Sequence, residues 1–257
     1  MKIATYNVNG VNGRLPRILD WLRETSPDVV CLQEIKTTDP KCPVAAIRDA
    51  GYESIWHGQR AHHGVGILAR HEAPIEIRRG LPGDDEDVQA RYLEARVRGL
   101  RVASIYLPNG NPAPGPKFDF KLAWFERLVT HAETLLHAGE PAILAGDFNV
   151  VPTDSDIYNA WAWQMDAVMQ PETRDAWRRL LAQGWIDPHR HLHRDEKVYT
   201  FWVNHHAFRR RNGMRMDFVL ISPNLLPRLR TAEVDVEFRG REGASDHAPT
   251  WIELGEA

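Results

Sequence analysis

Short apolar runs recur along the whole chain and are separated by polar residues. Runs of this length, several of them bounded by Gly, Pro, Asn or Asp, predict β-strands. We expect strands over Lys2–Tyr6, Val29–Gln33, Tyr52–Trp56, Val65–Ala69, Tyr92–Val97, Arg101–Tyr106, Ala142–Ala145, Met216–Ile221, Thr231–Val236 and Pro249–Leu254.

Helical periodicity is clear in only three segments. Apolar residues three and four positions apart predict a long helix over Lys121–His137, which Gly139 ends. Shorter helices are predicted from about Pro16 to Glu24 and over roughly Glu172–Gln183. Because strands outnumber helices and do not alternate with them regularly, the pattern disfavours a doubly wound parallel sheet or a TIM barrel. It favours two packed mixed β-sheets with helices on their outer faces.

Composition and length narrow the class of protein. The chain has 257 residues, 43% of them hydrophobic and 26% charged, which excludes disordered and low-complexity classes. It shows no internal repeat and no interdomain linker, so we expect a single domain over residues 1–257.

The cysteines and the N-terminus bear on location. Cys31 and Cys42 are too few for a disulfide framework and favour a reducing compartment. The N-terminus lacks the apolar segment of a signal peptide, and no apolar run approaches the ~20 residues of a membrane helix. We therefore expect a cytoplasmic protein with no membrane partner.

The net charge gives no hint of a nucleic-acid partner. It is −3 at pH 7, and the pI is near 6.5. A protein of this balance lacks the global basic field of many nucleic-acid binders, so DNA is an unexpected partner on charge alone.

Polar side chains lie where the apolar strands end. Strand ends are where catalytic groups usually lie, because a sheet holds them rigidly and the adjoining loop admits substrate. Each residue alone is explained by turn chemistry. Together they supply carboxylates, carboxamides, a tyrosine and a histidine, which suit a Mg²⁺ ion and a phosphate oxyanion. The set comprises Asn7, Asn9, Glu34, Tyr106, Asp147, Asn149, Asp217, Asp246 and His247.

Two other motifs are considered and rejected. Ser245-Asp246-His247 contains the residue types of a hydrolase triad, but three consecutive side chains cannot easily meet. His189, His191 and His193 alternate as zinc ligands on a strand face would, but no cysteine or carboxylate cluster accompanies them. We expect a solvated or phosphate-facing segment there.

Six ordered motifs, spread over residues 2–254, carry a family resemblance. They are Tyr6-Asn7-Val8-Asn9-Gly10, Leu32-Gln33-Glu34-Ile35-Lys36, His63-Gly64-Val65-Gly66-Ile67-Leu68, Gly146-Asp147-Phe148-Asn149, Arg215-Met216-Asp217 and Ser245-Asp246-His247-Ala248-Pro249. In this order they resemble the exonuclease III family of abasic-site endonucleases, within the endonuclease/exonuclease/phosphatase superfamily. DNase I is a more distant relative.

The resemblance implies a fold and an activity. The fold is a four-layer α/β sandwich of the DNase I type. The activity is Mg²⁺-dependent hydrolysis of phosphodiesters 5′ to abasic sites, trimming of 3′ ends by 3′–5′ exonuclease or 3′-phosphatase action, or both. The substrate is double-stranded DNA, Mn²⁺ is a candidate substitute for Mg²⁺, and we expect a monomer.

The resemblance also assigns roles at the metal and the phosphate. Glu34 and Asn7 are metal ligands, with Asp246 as an accessory carboxylate. Asp147 is the base or the orienting group for the attacking water. The remaining catalytic residues are His247 on the scissile phosphate, Asp217 holding His247 cationic, and Tyr106 and Asn149 in the phosphate cage, which Asn109 completes as a substrate-binding residue.

Aromatic and basic residues between Tyr199 and Arg215 are candidates for DNA contact. The resemblance assigns Phe201, Trp202 and Met214 to a pocket for an extrahelical abasic sugar, and we expect Arg211 and Arg215 to bind phosphates. A core position for Trp202 and a solvated turn for the arginines stay open as alternatives. The bulky segment around Trp161 and Trp163 has no role implied by the resemblance, but it could shift preference between internal abasic sites and 3′ ends.

Two alternatives to a DNA-repair nuclease remain: a superfamily phosphoesterase acting on phosphoinositide, sphingomyelin or RNA, and a non-catalytic DNA-binding module. The basic and aromatic segment argues against the first, and the retained Glu34, Asp147 and His247 argue against the second. Without the four site carboxylates Glu34, Asp147, Asp217 and Asp246, the net charge becomes +1. We therefore expect few, local phosphate contacts and a shallow salt dependence of DNA binding.

Overall fold

Two mixed β-sheets form the centre of the protein. A computed structural model describes residues 1–256, so residue 257 of the predicted domain lies outside the described part. The strands are β1 (Lys2–Asn7), β2 (Val29–Gln33), β3 (Tyr52–His57), β4 (Val65–Arg70), β5 (Ile75–Arg79), β6 (Tyr92–Val97), β7 (Leu100–Tyr106), β8 (Ala142–Asp147), β9 (Asp217–Ile221), β10 (Leu229–Val234) and β11 (Thr250–Leu254). One sheet has the order β10-β11-β1-β2-β4-β3, and the other has the order β5-β6-β7-β8-β9. Only β1–β2 and β7–β8 are parallel pairs within this part of the chain.

Helices cover the outer faces of the sheets. The α-helices are α1 (Leu15–Thr25), α2 (Val44–Asp49), α3 (Pro116–His137), α4 (Pro171–Ala182), α5 (Pro188–Leu192), α6 (His205–Arg209) and α7 (Val236–Arg239). Short 3₁₀ turns occupy Asp39–Lys41, Asp154–Asp156, Trp161–Trp163 and Pro223–Arg228. Long α3 begins with a proline, which suits the first helical turn because the missing N–H has no intrahelical partner there.

Three apolar layers hold the sandwich together. Between the sheets, Ile3 and Val65 from one sheet pack with Val102 and Ile143 from the other. α1 packs on the outer face of the first sheet, and α3 and α4 pack on the outer face of the second. The expected four-layer α/β sandwich is therefore confirmed.

Three local expectations differ from the structure. Strand β5 was not predicted, because every residue of Ile75–Arg79 is exposed at a sheet edge and no buried stripe marks it. The strand expected over Thr231–Val236 begins and ends two residues earlier, because Val236 starts α7. His189 and His193 lie on and beside helix α5, where their rings stack at 4.8 Å. The segment is therefore helical, and His189 is buried rather than solvated.

The sequence also predicted a protein without a membrane partner and with a single domain. Within residues 1–256, no helix is both long and apolar enough to span a bilayer. The cytoplasmic location and the single-domain assignment stay predictions.

Candidate active site

The strand topology brings the polar strand ends of both sheets to one edge of the sandwich. The parallel pairs β1–β2 and β7–β8 end there. Strands β9 and β11 run antiparallel to their neighbours, so they begin where those strands end. The residues gathered at this edge are Asn7, Glu34, Tyr106, Asp147, Asp217 and His247.

Asn7 connects the two sheets across this edge. Its buried Nδ2 donates to Glu34 Oε1 and to Asp147 Oδ2, both at 2.9 Å. Lys36 Nζ lies 2.8 Å from Glu34 Oε2. Burial opposes ionisation of Glu34, but hydrogen bonds from Asn7 and Lys36 outweigh it and lower the pKa of the carboxyl. Glu34 is therefore an ionised carboxylate whose position is fixed by Asn7 and Lys36.

His247 and Asp217 form a buried pair. His247 Nδ1 donates to Asp217 Oδ2 at 2.9 Å, and both residues are 3% exposed or less. Burial by itself lowers the pKa of the imidazole, but the Asp217 carboxylate outweighs it and raises that pKa to about 10. His247 therefore carries a positive charge at neutral pH and can donate from Nε2.

Asp147 faces this cation. Its Oδ2 lies 3.9 Å from His247 Nε2, and its Oδ1 accepts from the backbone N–H of Asn149 at 2.9 Å. Burial, and then the nearby carboxylate of Asp217, raise the pKa of the Asp147 carboxyl. A buried carboxylate with a raised pKa is suited to accept a proton from water near neutral pH.

A buried lysine fastens the two loops beside Asp147. Lys121 Nζ donates to the backbone carbonyl oxygens of Asn109 at 2.9 Å and Asn149 at 2.6 Å. The side chains of the two asparagines also meet, since Asn109 Nδ2 donates to Asn149 Oδ1 at 3.1 Å. Asn149 Nδ2 donates to the carbonyl of Leu107 at 2.8 Å. Asn149 is thus engaged within the protein, whereas Asn109 is exposed at the site.

Tyr106 closes the opposite side of the site. It ends β7, and its ring lies under the Arg91 guanidinium, 4.8 Å from the ring centroid. Burial, and then the carboxylates of Glu34 and Asp147, raise the pKa of the phenol well above its usual value. Tyr106 is therefore a neutral hydrogen-bond donor.

Three strained backbone positions lie at this edge. The non-glycine residues Asn9, Glu34 and Asn149 adopt left-handed conformations, with φ of 45°, 51° and 44°. Such conformations cost free energy and persist only where surrounding contacts enforce them, as at functional sites. Here hydrogen bonds of neighbouring side chains and backbone supply that enforcement.

The residues present fit a hard divalent cation. Ligand atoms of Glu34, Asp147 and His247 lie within 4.8 Å of one another, and Asn7 borders them. Because His247 is cationic, the donors open to a metal are the carboxylate oxygens, which Mg²⁺ prefers. The Asn7 amide oxygen accepts from the backbone N–H of Asn9 at 3.1 Å, so its role as a metal ligand stays a prediction. Asp246 lies outside this group, and its Oδ1 accepts from Asn9 Nδ2 at 2.9 Å. Its role as an accessory metal carboxylate stays a prediction.

Three of the expected substrate contacts are corrected by burial. Trp202, Met214 and Arg215 are each 3% exposed. Trp202 packs in an apolar cluster with Phe208. Met214 packs in a second cluster, where it contacts Phe201. Buried side chains offer little surface to a duplex, so the structure gives these three residues a packing or ion-pairing role in place of the expected direct contact with DNA.

Arg215 has a different function from phosphate binding. Its Nε lies 2.8 Å from Asp156 Oδ1, and its Nη1 lies 2.7 Å from Asp187 Oδ2. It therefore neutralises two carboxylates inside the protein. Of the expected contacts in this part of the chain, Phe201 and Arg211 remain open to substrate, and the Phe201 ring centroid lies 4.7 Å from that of His247.

Sequence reasoning missed Lys121, Lys36 and Thr200 as contributors to the site. Thr200 Oγ1 accepts from the backbone N–H of Asp217 at 3.1 Å and so helps place that carboxylate. Lys121 carried a usable signal, since it lies four residues before Phe125 on the buried stripe of α3. Lys36 belongs to the same sequence motif as Glu34, but the sequence analysis assigned it no role.

Comparison with known proteins identifies the family of the chain. The model of the endonuclease/exonuclease/phosphatase family matches residues 4–247. Exodeoxyribonuclease III of Haemophilus influenzae is 32% identical, over 99% of this chain and 100% of that protein.

Solved structures are similar over the same length. A 3′ phosphatase from Neisseria, bound to a product DNA hairpin, is 35% identical with a TM-score of 0.96 and full coverage of both chains. An AP endonuclease from Archaeoglobus fulgidus is 31% identical with a TM-score of 0.94 and 99% coverage of both chains. The chain therefore belongs to the exonuclease III family of DNA-repair nucleases, within the endonuclease/exonuclease/phosphatase family.

Proposed function

We propose that the protein is a Mg²⁺-dependent hydrolase of double-stranded DNA that cuts 5′ to abasic sites, removes blocking groups or nucleotides at 3′ ends, or does both. The observation that carries the proposal is the contact between buried Asp147 and cationic His247, beside the Asn7–Glu34 pair. This arrangement places a base, a cation and metal-ligating oxygens around one point, as hydrolysis of a phosphate ester requires.

Each residue has a defined task in this chemistry. Asp147 accepts the proton of the attacking water, and the Asn149 N–H orients the carboxylate for that role. His247 donates from Nε2 to a nonbridging phosphate oxygen, and Tyr106 and Asn109 donate to the same group. When bound by Glu34 and Asn7, Mg²⁺ would neutralise negative charge on the phosphate.

The surroundings of the site support duplex DNA as the substrate. The exposed arginines of segment 209–211 have no carboxylate within 4.0 Å among residues 1–256, so their charge is available to phosphates. Phe201 presents an apolar ring next to His247, where an unstacked sugar or base would lie. The Neisseria 3′ phosphatase of similar structure carries a product DNA hairpin.

The decisive experiment compares three matched duplexes. One contains an internal abasic analogue, one a recessed 3′ hydroxyl end and one a recessed 3′ phosphate, each assayed with Mg²⁺, with Mn²⁺ and with chelator. We expect cleavage of at least one duplex with either metal and none in chelator. Full activity in chelator, or turnover of a phosphoinositide or RNA without action on any duplex, would refute the proposal.

A pair of variants tests the assigned base. Asp147→Asn is expected to lose at least 10³-fold in kcat while still binding DNA, because the amide cannot accept the proton. Asp235→Asn is the matched control, since Asp235 also accepts hydrogen bonds inside the fold, from Trp21 and Trp251, but is not among the residues at the active-site edge. Sedimentation of the wild type with and without duplex would check the expected monomer.

A further inference from the structure

Exposed apolar side chains are concentrated in one short segment. Among residues 1–256, eight large hydrophobic side chains are exposed, and three of them lie between positions 158 and 165. They are Tyr158 at 38% exposure, Trp161 at 78% and Met165 at 72%. Monomeric proteins rarely leave such clusters uncovered without a binding function. We call residues 158–166 the tryptophan loop.

The tryptophan loop lies on the rim of the candidate active site. At its start, the N–H of Tyr158 donates to the carbonyl of Gly213 at 3.0 Å. Gly213 adjoins Met214, which pairs with Phe201, and the Phe201 ring lies against His247. The first end of the loop is thereby attached to the segment that carries the apolar side of the site.

The other end of the loop is attached to the segment after Tyr106. Asn111 Nδ2 donates to Asp166 Oδ2 at 3.0 Å, and Asn111 Oδ1 accepts from the N–H of Ala167 at 2.9 Å. Asn111 follows Asn109 by two residues, and Asn109 contacts Asn149. The loop therefore connects the segment beside His247 with the segment beside Asn149.

The loop is held in shape by its own contacts. Trp163 Nε1 donates to the Tyr158 hydroxyl at 3.2 Å, and Gln170 Nε2 donates to the carbonyl of Asp166 at 3.1 Å. An open groove of about 690 Å³ lies between the loop and Asn111, with Trp163 and Met165 in its wall. Trp161 is thus presented on a preorganised support, which lowers the entropy lost when a flat ligand stacks on it.

The residues around the tryptophan loop favour a nucleobase as the ligand of the exposed Trp161 ring. The unpaired arginines of segment 209–211 precede Gly213, so cationic side chains and an exposed aromatic face occur on joined segments. An aromatic platform next to phosphate-binding cations is the usual arrangement for binding single-stranded or frayed nucleic acid. A hydrophobic protein partner would not require the neighbouring free cations.

We propose that Trp161 stacks on a nucleobase close to the scissile phosphate and thereby selects DNA ends or unpaired nucleotides. This inference rests on the proposed DNA hydrolase function. Because stacking is present before and during the chemical step, its loss is expected in KM rather than in kcat.

The test is a double-mutant cycle that combines substitution of Trp161 with removal of single bases from the substrate. Trp161→Ala and Trp161→Phe are assayed on a recessed 3′-phosphate duplex. In a substrate series, a baseless spacer replaces each of the three terminal nucleotides and each of the three nucleotides facing them. The linkage 5′ to each spacer is made resistant to hydrolysis, because an abasic site is itself a candidate substrate. Ile75→Ala is the matched control, because Ile75 is 66% exposed on the edge strand β5.

We expect Trp161→Ala to raise KM about 5- to 150-fold on the normal duplex, the range for loss of one stacked base. Trp161→Phe should recover most of this loss, and one spacer position should raise the wild-type KM equally and abolish the effect of Trp161→Ala. An unchanged KM for Trp161→Ala, or an effect that persists with a spacer at every position, would overturn the inference. In either case the proposed function stands if the wild type cleaves the duplex and Asp147→Asn does not.

Discussion

The buried ammonium of Lys121 gives a quantitative prediction about stability. Its Nζ is enclosed, donates only to two backbone carbonyls, and has Asp147 and Asp166 as the nearby carboxylates. Burial, which those carboxylates only partly oppose, lowers the pKa of Lys121 from 10.5 to about 7. In the unfolded chain the same side chain keeps its ordinary pKa.

The sign of the effect follows from proton uptake. Between pH 7 and about pH 10, the unfolded chain holds a proton on Lys121 that the folded protein has largely released. The wild-type free energy of unfolding therefore contains a contribution that rises with pH by roughly 1 kcal/mol per unit, or about 2 kcal/mol from pH 7 to pH 9. Lys121→Met removes this ionisation and also leaves the carbonyls of Asn109 and Asn149 without their donor.

The measurement is urea unfolding of the wild type and Lys121→Met at pH 7, 8 and 9, followed by tryptophan fluorescence. Loss of the hydrogen bonds lowers the free energy of unfolding by the same amount at every pH. Loss of the ionisation changes how steeply that free energy rises with pH. We expect the destabilisation by Lys121→Met to grow by about 2 kcal/mol across this range. Lys117 is exposed on the same helix, so the free energy of unfolding of Lys117→Met should vary with pH as that of the wild type does. Parallel curves for the wild type and Lys121→Met would refute the reasoning.

Four further outcomes test the site and its surroundings. Asp217→Asn should lower kcat for 3′-phosphate release at least 10²-fold with little change in KM, because the amide cannot balance the imidazolium; a loss below threefold would contradict the role. Glu34→Gln should raise the Mg²⁺ concentration for half-maximal activity at least tenfold in a metal titration, and an unchanged midpoint would exclude Glu34 as a ligand. Arg215→Met should lower the free energy of unfolding in urea by about 3 kcal/mol, since Asp187 loses its buried cation and Asp156 keeps only its ion pair with Arg190. Wild-type DNA affinity should fall only shallowly with salt, and Arg211→Ala should reduce the slope by about 1, whereas a slope implying eight or more phosphate contacts would contradict the local charge argument.

Regular elements were predictable where burial imposes a period on the sequence. The long helix α3 and the strands β2 and β6 follow patterns that hydrophobic contact requires, so their existence could be predicted without a structure. Strand β5 was missed because an exposed edge strand carries no such stripe. The histidines at 189–193 show a different error, since a solvated or phosphate-facing segment was expected there, whereas His189 is buried on the short helix α5.

Burial of individual polar and aromatic residues could not be predicted in the same way. Trp202 and Arg215 belong to a segment whose aromatic and basic residues are typical of DNA binding. Both are nevertheless enclosed by residues distant in sequence. A side chain's exposure depends on everything packed around it, and a local pattern contains little of that information. The exposed Trp161 is the converse case, because its apolar ring is left uncovered by the fold.

The sequence by itself determined the types of chemical group available and their order along the chain. Carboxylates, carboxamides and a histidine at strand ends indicate phosphate chemistry with a hard metal, and their ordered motifs indicate the family. Only the tertiary structure decided which of these groups meet. Asn7 reaches Asp147 across 140 positions, and Asp217 sits 2.9 Å from His247 because antiparallel strands return to the edge where the parallel strands end. The pKa values of the site follow from those contacts and from burial, which are properties of the folded chain alone.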